Sequence, residues 1–135
     1  MLRYAQITGW GKYAPPLLMT NDDMAKIVDT SDEWIFSRSG IRQRHYSHIS
    51  TGDMAWLAAE QALAAAATAA DDIDLIVLGS TTPEEICPNT ASYIKNKLGA
   101  SKAAAFDLNS ACTSWFYGLN AATDMIRAGS INKAL

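Results

Sequence analysis

The chain has 135 residues, 49% of them hydrophobic and 19% charged, with a net charge of −3. That is enough apolar material to bury the core of one ordinary domain, and the charge recommends neither nucleic acid nor an anionic membrane as a partner. Cys87 and Cys112 show no metal-ligand spacing, no secretory leader pattern opens the sequence and no apolar run has transmembrane length. The expectation is a reduced cytoplasmic protein with no metal and no membrane partner.

Tyr4 to Gly11 alternates weakly and reads as a first strand. Gly9-Trp10-Gly11-Lys12-Tyr13-Ala14 fits the G-x-G-x-x-A form of the dinucleotide fingerprint, but Pro15 and Pro16 stand where the phosphate-binding helix should begin. The glycines are therefore read as turn residues. Thr20 or Asn21 can cap a short helix with Asp22 and Asp23 in its first turn and Met24, Ile27 and Val28 on one face. Ser31 caps a second helix, Asp32 and Glu33 open it, and Gly40 suits its end. Trp34 and Arg38 lie four apart on that helix and share a face. They form either a half-buried tryptophan beside a solvated arginine, or an aromatic plate and a cation set for a nucleotide with phosphates. Spacing does not choose between the two. Ile41 to Tyr46 is basic and extended, and His45 and His48 are exposed loop residues by default.

Thr51 to about Ala69 is an alanine-rich helix capped by Thr51, with Met54, Leu57, Ala58 and Leu63 on its buried face. Such a helix suits a covering layer on a sheet. After a polar turn at Asp71 to Asp74, Leu75 to Gly79 is a continuous apolar run, as expected of a central parallel strand. A loop from Thr81 to Pro88 carries Cys87, and Asn89 then caps a helix that Gly99 closes. Ala103 to Leu108 is the next strand, broken by Asn109, Ser110 and Ala111. From Cys112 the pattern turns helical, with Trp115, Phe116, Leu119, Ala122 and Ile126 on one side, up to Gly129. This helix is weakly polar nearly all round, which places it in the interior, between layers. Lys133 to Leu135 opens another strand. Strand alternating with helix implies right-handed crossovers and a mainly parallel sheet covered by helices.

Cys112 thus sits at a strand–turn–helix junction. Alone, a cysteine there is either a small apolar core residue or a nucleophile on an elbow. A helix N-terminus stabilises an anion by only about 0.3–1 kcal/mol, so a catalytic Cys112 needs a second activating group, normally a histidine.

Two stretches resemble a known family. Thr30-Ser31-Asp32-Glu33-Trp34-Ile35 followed by Arg38-Ser39-Gly40-Ile41-Arg42-Gln43-Arg44-His45 is similar to the amino-terminal signature of β-ketoacyl-acyl-carrier-protein synthase III. Ala105-Phe106-Asp107-Leu108-Asn109-Ser110-Ala111-Cys112 resembles the nucleophile motif of that family. The resemblance spans essentially the whole chain and favours the sharper reading of both Cys112 and Trp34. It implies an α/β thiolase-like fold, of which these residues are the first half of an α-β-α-β-α sandwich with a mainly parallel sheet, working as a homodimer. By the same resemblance Cys112 takes an acyl group, typically acetyl, from coenzyme A. The acyl-enzyme condenses with malonyl-acyl-carrier protein, whose decarboxylation supplies the carbanion, to give the 3-oxoacyl product that initiates type II fatty-acid synthesis. Trp34 stacks on the coenzyme A adenine, Arg38 and Thr30 line that site, and the Cys112 N–H belongs to the oxyanion hole. Coenzyme A enters as a thioester substrate and no separate cofactor is implied.

Departures from the family pattern leave acyl-chain preference open. Cys87 precedes Pro88 where the family commonly has a large aromatic bordering the acyl pocket, and Trp115 and Phe116 follow the nucleophile where one aromatic is usual. The activating histidine and asparagine, and a glycine-rich loop, belong to the family's second half, and His45 and His48 do not match them. The chain by itself is therefore expected to acylate poorly and not to condense, the other half being encoded further on or supplied by a separate chain. The runners-up are another thiolase-fold condensing enzyme (hydroxymethylglutaryl-CoA-synthase-like, polyketide-priming or long-chain head-to-head) and a non-catalytic half-fold subunit that forms an interface.

Overall fold

A computed structural model describes residues 3–135, and the chain divides into two compact units, Ala14–Ile49 and the rest. In the Ala14–Ile49 unit, strand β1 (Leu17–Thr20) leads directly into a short helix α1 (Asn21–Ala25), then α2 (Asp32–Ser39) and strand β2 (Gln43–Tyr46). β1 and β2 pair antiparallel, from Leu17 opposite Tyr46 to Thr20 opposite Gln43. Thr20 and Asp23 form a reciprocal capping box: the threonine hydroxyl accepts from the Asp23 N–H, and the Asp23 carboxylate accepts from the Thr20 N–H and hydroxyl. The same carboxylate meets Lys26 at 2.8 Å, and this cation, with the Thr20 donors, holds the Asp23 carboxyl well below the usual carboxylate range. The hub of the unit is Asn21, which is only 1% exposed. Its amide donates to Asp32 Oδ1 and to the Ile41 carbonyl, both at 2.7 Å, while its oxygen accepts from Arg44 at 2.8 Å. One buried amide thus ties α1 to the start of α2 and to β2, with every polar atom satisfied.

The other unit is built on a parallel sheet. Helix α3 (Thr51–Ala65), strand β3 (Leu75–Gly79), helix α4 (Thr90–Leu98), strand β4 (Ala104–Leu108) and helix α5 (Ser114–Ala128) follow in order. β3 pairs parallel with β4, from Leu75 opposite Ala104 to Gly79 opposite Leu108. On its other edge Leu75 bridges Ala134, with Leu135 donating to Leu75 O and accepting from Val77 N–H, each at 2.9 Å. The expected strand opening at Lys133 to Leu135 therefore joins the sheet, in the order β4, β3, 133–135. Because successive strand residues face opposite ways, β3 is apolar on both faces. Ile76 enters a core cluster with Leu63 of α3 and Ala91 and Ile94 of α4, while Val77 meets Gly118 of α5 on the other face. This is the α/β, parallel-sheet architecture expected from the sequence.

Four details differ from the sequence reading or add to it. Tyr4 to Gly11 forms no strand. No ladder bond engages it, and its glycines serve close approach to α3: a Cβ on Gly9 would lie 2.5 Å from the Ala62 carbonyl oxygen, and one on Gly11 would overlap that of Ala58. Helix α3 is capped by Ser50, whose hydroxyl accepts from Asp53 N–H, and it ends at Ala65 rather than Ala69. The stop is made by Ala67 at φ +47°, a left-handed residue usually supplied by glycine, so an unbroken alanine run concealed it. The β1–β2 pair was not anticipated as a pair, since neither four-residue strand alternates. Finally, α5 lies on one face of the sheet with its small residues, Ser114 and Gly118, turned inward, and leaves Trp115 and Phe116 60% and 67% exposed.

Candidate active site

β4 delivers the chain to Asn109 and Ser110, and the direction then reverses through Ala111, whose φ of +47° is left-handed. A non-glycine residue there costs on the order of 1–2 kcal/mol, so the surrounding contacts must hold it. They do. The Ser114 hydroxyl accepts from Ser110 N–H and donates to the Ala111 carbonyl, both at 2.8 Å, and Thr113 Oγ1 donates to Ser110 O at 2.7 Å. Cys112 rides on the single 3₁₀ turn that these bonds close, just ahead of α5, and its thiol is free and exposed. No protein acceptor meets its N–H among the described residues. The elbow is pressed against β3 as well: a Cβ on Gly79 would stand 2.8 Å from Ser114 Cβ.

Cys87 belongs to the loop that joins β3 to α4 and is the second free, exposed thiol. The loop is fastened by carboxylates. Glu84 accepts from Gly52 N–H at 2.9 Å, at the start of α3, and from the Thr90 hydroxyl at 3.3 Å. Asp107, on the strand that leads to the elbow, accepts from Thr90 and Ala91 N–H at 3.0 and 2.7 Å and so caps α4. Between these anchors Ile86 stands 93% exposed, next to the cis Cys87–Pro88 peptide.

The other three candidates gather in the Ala14–Ile49 unit. Ser31 caps α2 by accepting from Trp34 N–H at 3.1 Å, and Gly40 closes it at φ +70°. α2 is held through Asp32, which takes Asn21 and Arg42, the latter at 2.6 Å with its guanidinium also over the Phe36 ring. Trp34 is left 59% exposed, with Arg38 one turn further along. Thr30 precedes the cap, and its hydroxyl is buried without a protein partner, the condition in which a polar group is most costly. His45 pairs with the Pro15 carbonyl.

Thr30, Trp34 and Arg38 thus share one unit, and Cys87 and Cys112 share the other. Ala111 was read only as a residue that breaks the strand, and Ser114 and Asp107 were not singled out by the sequence reading. Nothing in an alanine advertises a positive φ. The Ser110/Ser114 spacing and a lone carboxylate inside an apolar strand were available signals for the other two. Among the described residues no group of three or more His, Cys, Asp or Glu could hold a metal ion, and no helix is long and apolar enough to cross a membrane.

Residues 106–135 match the family model for 3-oxoacyl-[acyl-carrier-protein] synthase III. The chain is 50% identical over 132 residues to β-ketoacyl-[acyl-carrier-protein] synthase III 2 of Vibrio vulnificus, covering 98% of this chain and 36% of that protein. Among solved structures, the 3-oxoacyl-(acyl carrier protein) synthase III of Pseudomonas aeruginosa superposes with a TM-score of 0.90 at 41% identity, over 98% of this chain and 41% of that one. The priming β-ketosynthase of the R1128 polyketide pathway gives 0.92 at 30% identity, over 96% and 40%. The resemblance read from the two motifs is borne out, as is the thiolase-like α/β fold, and the chain spans about two fifths of the length of these relatives.

Proposed function

We propose that this chain carries the acyl-accepting portion of a β-ketoacyl-acyl-carrier-protein synthase III. The observation that carries the proposal is Cys112, an exposed thiol on a strained elbow whose own N–H has no protein acceptor, within a sequence half identical to a synthase. In the first half-reaction the Cys112 thiolate attacks the carbonyl carbon of an acyl-CoA, acetyl-CoA above all. A bond forms to Sγ, the carbonyl oxygen takes up negative charge, and collapse of the tetrahedral intermediate expels the coenzyme A thiolate. A donor N–H placed for that oxygen is commonly worth about 3–4 kcal/mol of transition-state stabilisation. Exposed Trp34 offers a stacking plate for the adenine, Arg38 a cation for phosphate, and the unpartnered Thr30 hydroxyl a hydrogen bond in the same region. Cys87 borders the acyl pocket.

The second half-reaction joins the acyl group to malonyl-acyl-carrier protein with loss of carbon dioxide. Its histidine, asparagine and glycine-rich loop are assigned, by resemblance, to the part of the relatives that this chain does not span. The working enzyme on this reading is a cytoplasmic homodimer initiating type II fatty-acid synthesis. A second reading, polyketide priming, draws on the R1128 match and on Cys87 standing where a bulky aromatic would narrow the pocket. The test is radiolabelled acetyl transfer from acetyl-CoA to the protein. Label should be lost in Cys112→Ser and kept in Cys87→Ser; label that survives Cys112→Ser contradicts the proposal. Faster labelling by a longer acyl-CoA selects the second reading.

A further inference from the structure

We propose that Ser114 is a positioning residue that aims the Cys112 amide at the developing oxyanion; the inference rests on Cys112 being the acyl acceptor. Ser114 is 3% exposed and forms part of the wall between the elbow and β3. Its hydroxyl accepts from Ser110 N–H and donates to Ala111 O, and its own N–H donates to the same carbonyl. The Ala111 carbonyl is therefore held by two donors from one residue. That carbonyl and the Cys112 N–H are opposite ends of a single planar trans peptide, so fixing the oxygen inward turns the hydrogen the other way. The outward end is where no protein acceptor meets it. Ala111 at φ +47° must be held in a conformation costly for a non-glycine residue, and the Ser114 hydroxyl, bonded to Ser110 N–H before it and to the Ala111 carbonyl after it, holds it. Gly79 completes the device, because only a residue without Cβ lets Ser114 come this close to the strand.

The role separates from simple structural support through the chemistry of the probe. When Cys112 attacks a thioester, Sγ bonds to the carbonyl carbon and the oxygen becomes anionic before the leaving thiolate departs; the thiol proton goes to solvent. When it attacks iodoacetamide, Sγ displaces iodide in one step and no oxyanion forms. Both reactions are run on the whole chain, with S-phenyl thioacetate and with iodoacetamide, and Cys87 serves as the reference thiol in the same molecule. In the wild-type protein the Cys112:Cys87 ratio should be higher for thioacetate than for iodoacetamide. In Ser114→Ala the thioacetate ratio should fall about tenfold, a fraction of the 10²–10³ lost when an oxyanion donor is removed outright, with the iodoacetamide ratio changed less than twofold. Ser114→Thr, which keeps the hydroxyl, should stay within about threefold of wild type in both reactions and serves if the alanine variant does not fold.

An unchanged thioacetate ratio in Ser114→Ala overturns the proposal, as does an equal fall in both reactions, or a threonine variant that loses as much as alanine. A wild-type chain in which Cys112 shows no excess towards thioacetate fails one step earlier and refutes the acyl-acceptor reading itself.

Discussion

Replacing Gly79 by alanine perturbs the contact between sheet and elbow with one methyl group. Its Cβ would stand 2.8 Å from Ser114 Cβ, 3.2 Å from the Ser114 carbonyl carbon and 3.4 Å from Trp115 N. Carbon atoms pack best at about 3.5–4.0 Å, so the nearest contact is short by roughly 0.7 Å or more. The obstacles are main chain and a Cβ rigidly attached to it, not the end of a flexible side chain, and relief requires moving the start of α5. Overpacking of this kind costs about 1–3 kcal/mol, offset by at most about 1 kcal/mol from restricting the unfolded chain. The net expectation is destabilisation by about 1–2 kcal/mol. With a urea m-value of about 1–2 kcal/mol/M for a small domain, the unfolding midpoint should fall by about 1 M at unchanged slope. Gly118→Ala is the control. Its Cβ meets only Val77 Cγ1 at 3.3 Å, and the helix gains up to about 1 kcal/mol of propensity, so little should change. A Gly79→Ala protein as stable as wild type would refute the claim that β3 and the elbow are packed to contact.

Asp107→Ala removes the acceptor of two helix N–H groups, and stability should drop by about 2 kcal/mol in urea titration, with Asp107→Asn losing about half as much. Three carboxyls sit below their ordinary range: Asp74 through the N–H groups of Asn132 and Lys133, Asp53 through the Tyr93 hydroxyl, and Asp23 through Lys26. Each depressed group stabilises the fold above its unfolded value of about 4 and loses that contribution as pH falls through its folded value. The urea midpoint should therefore hold between neutral pH and pH 5 and decline below about pH 4, with a shallower decline in Asp74→Asn. Trp34→Ala should weaken coenzyme A binding by about 1–3 kcal/mol by calorimetry, the scale of one aromatic stacked on a base; unchanged affinity would remove Trp34 from the site.

The fold was legible where local chemistry and burial agree. Asn89 and Gly99 bracket α4, Ser31 and Gly40 bracket α2, and the apolar run of Leu75 to Gly79 is β3 residue for residue. It was illegible where an alanine does the work of a glycine, at Ala67 and Ala111, because the left-handed conformation there is imposed by neighbours and not by propensity. The side of α5 that meets the sheet was not the one its hydrophobic pattern marks, for a related reason. Its buried stripe consists of small residues, so the aromatics that dominate the hydrophobic pattern point away from the sheet. The proposed nucleophile was singled out by its motif, but the Ser114 hydroxyl that bonds Ser110 N–H and the Ala111 carbonyl was not, since a serine two residues on looks like any other polar residue near a helix start.

Acylation of one thiol in preference to the other tests the central claim most directly. The chain is incubated with acetyl-CoA, then treated with excess iodoacetamide under denaturing conditions, and the cysteine peptides are read by mass spectrometry. The account predicts slow uptake of acetyl confined to Cys112, with Cys87 recovered alkylated. Acetyl shared equally between the two, or found first on Cys87, would contradict it.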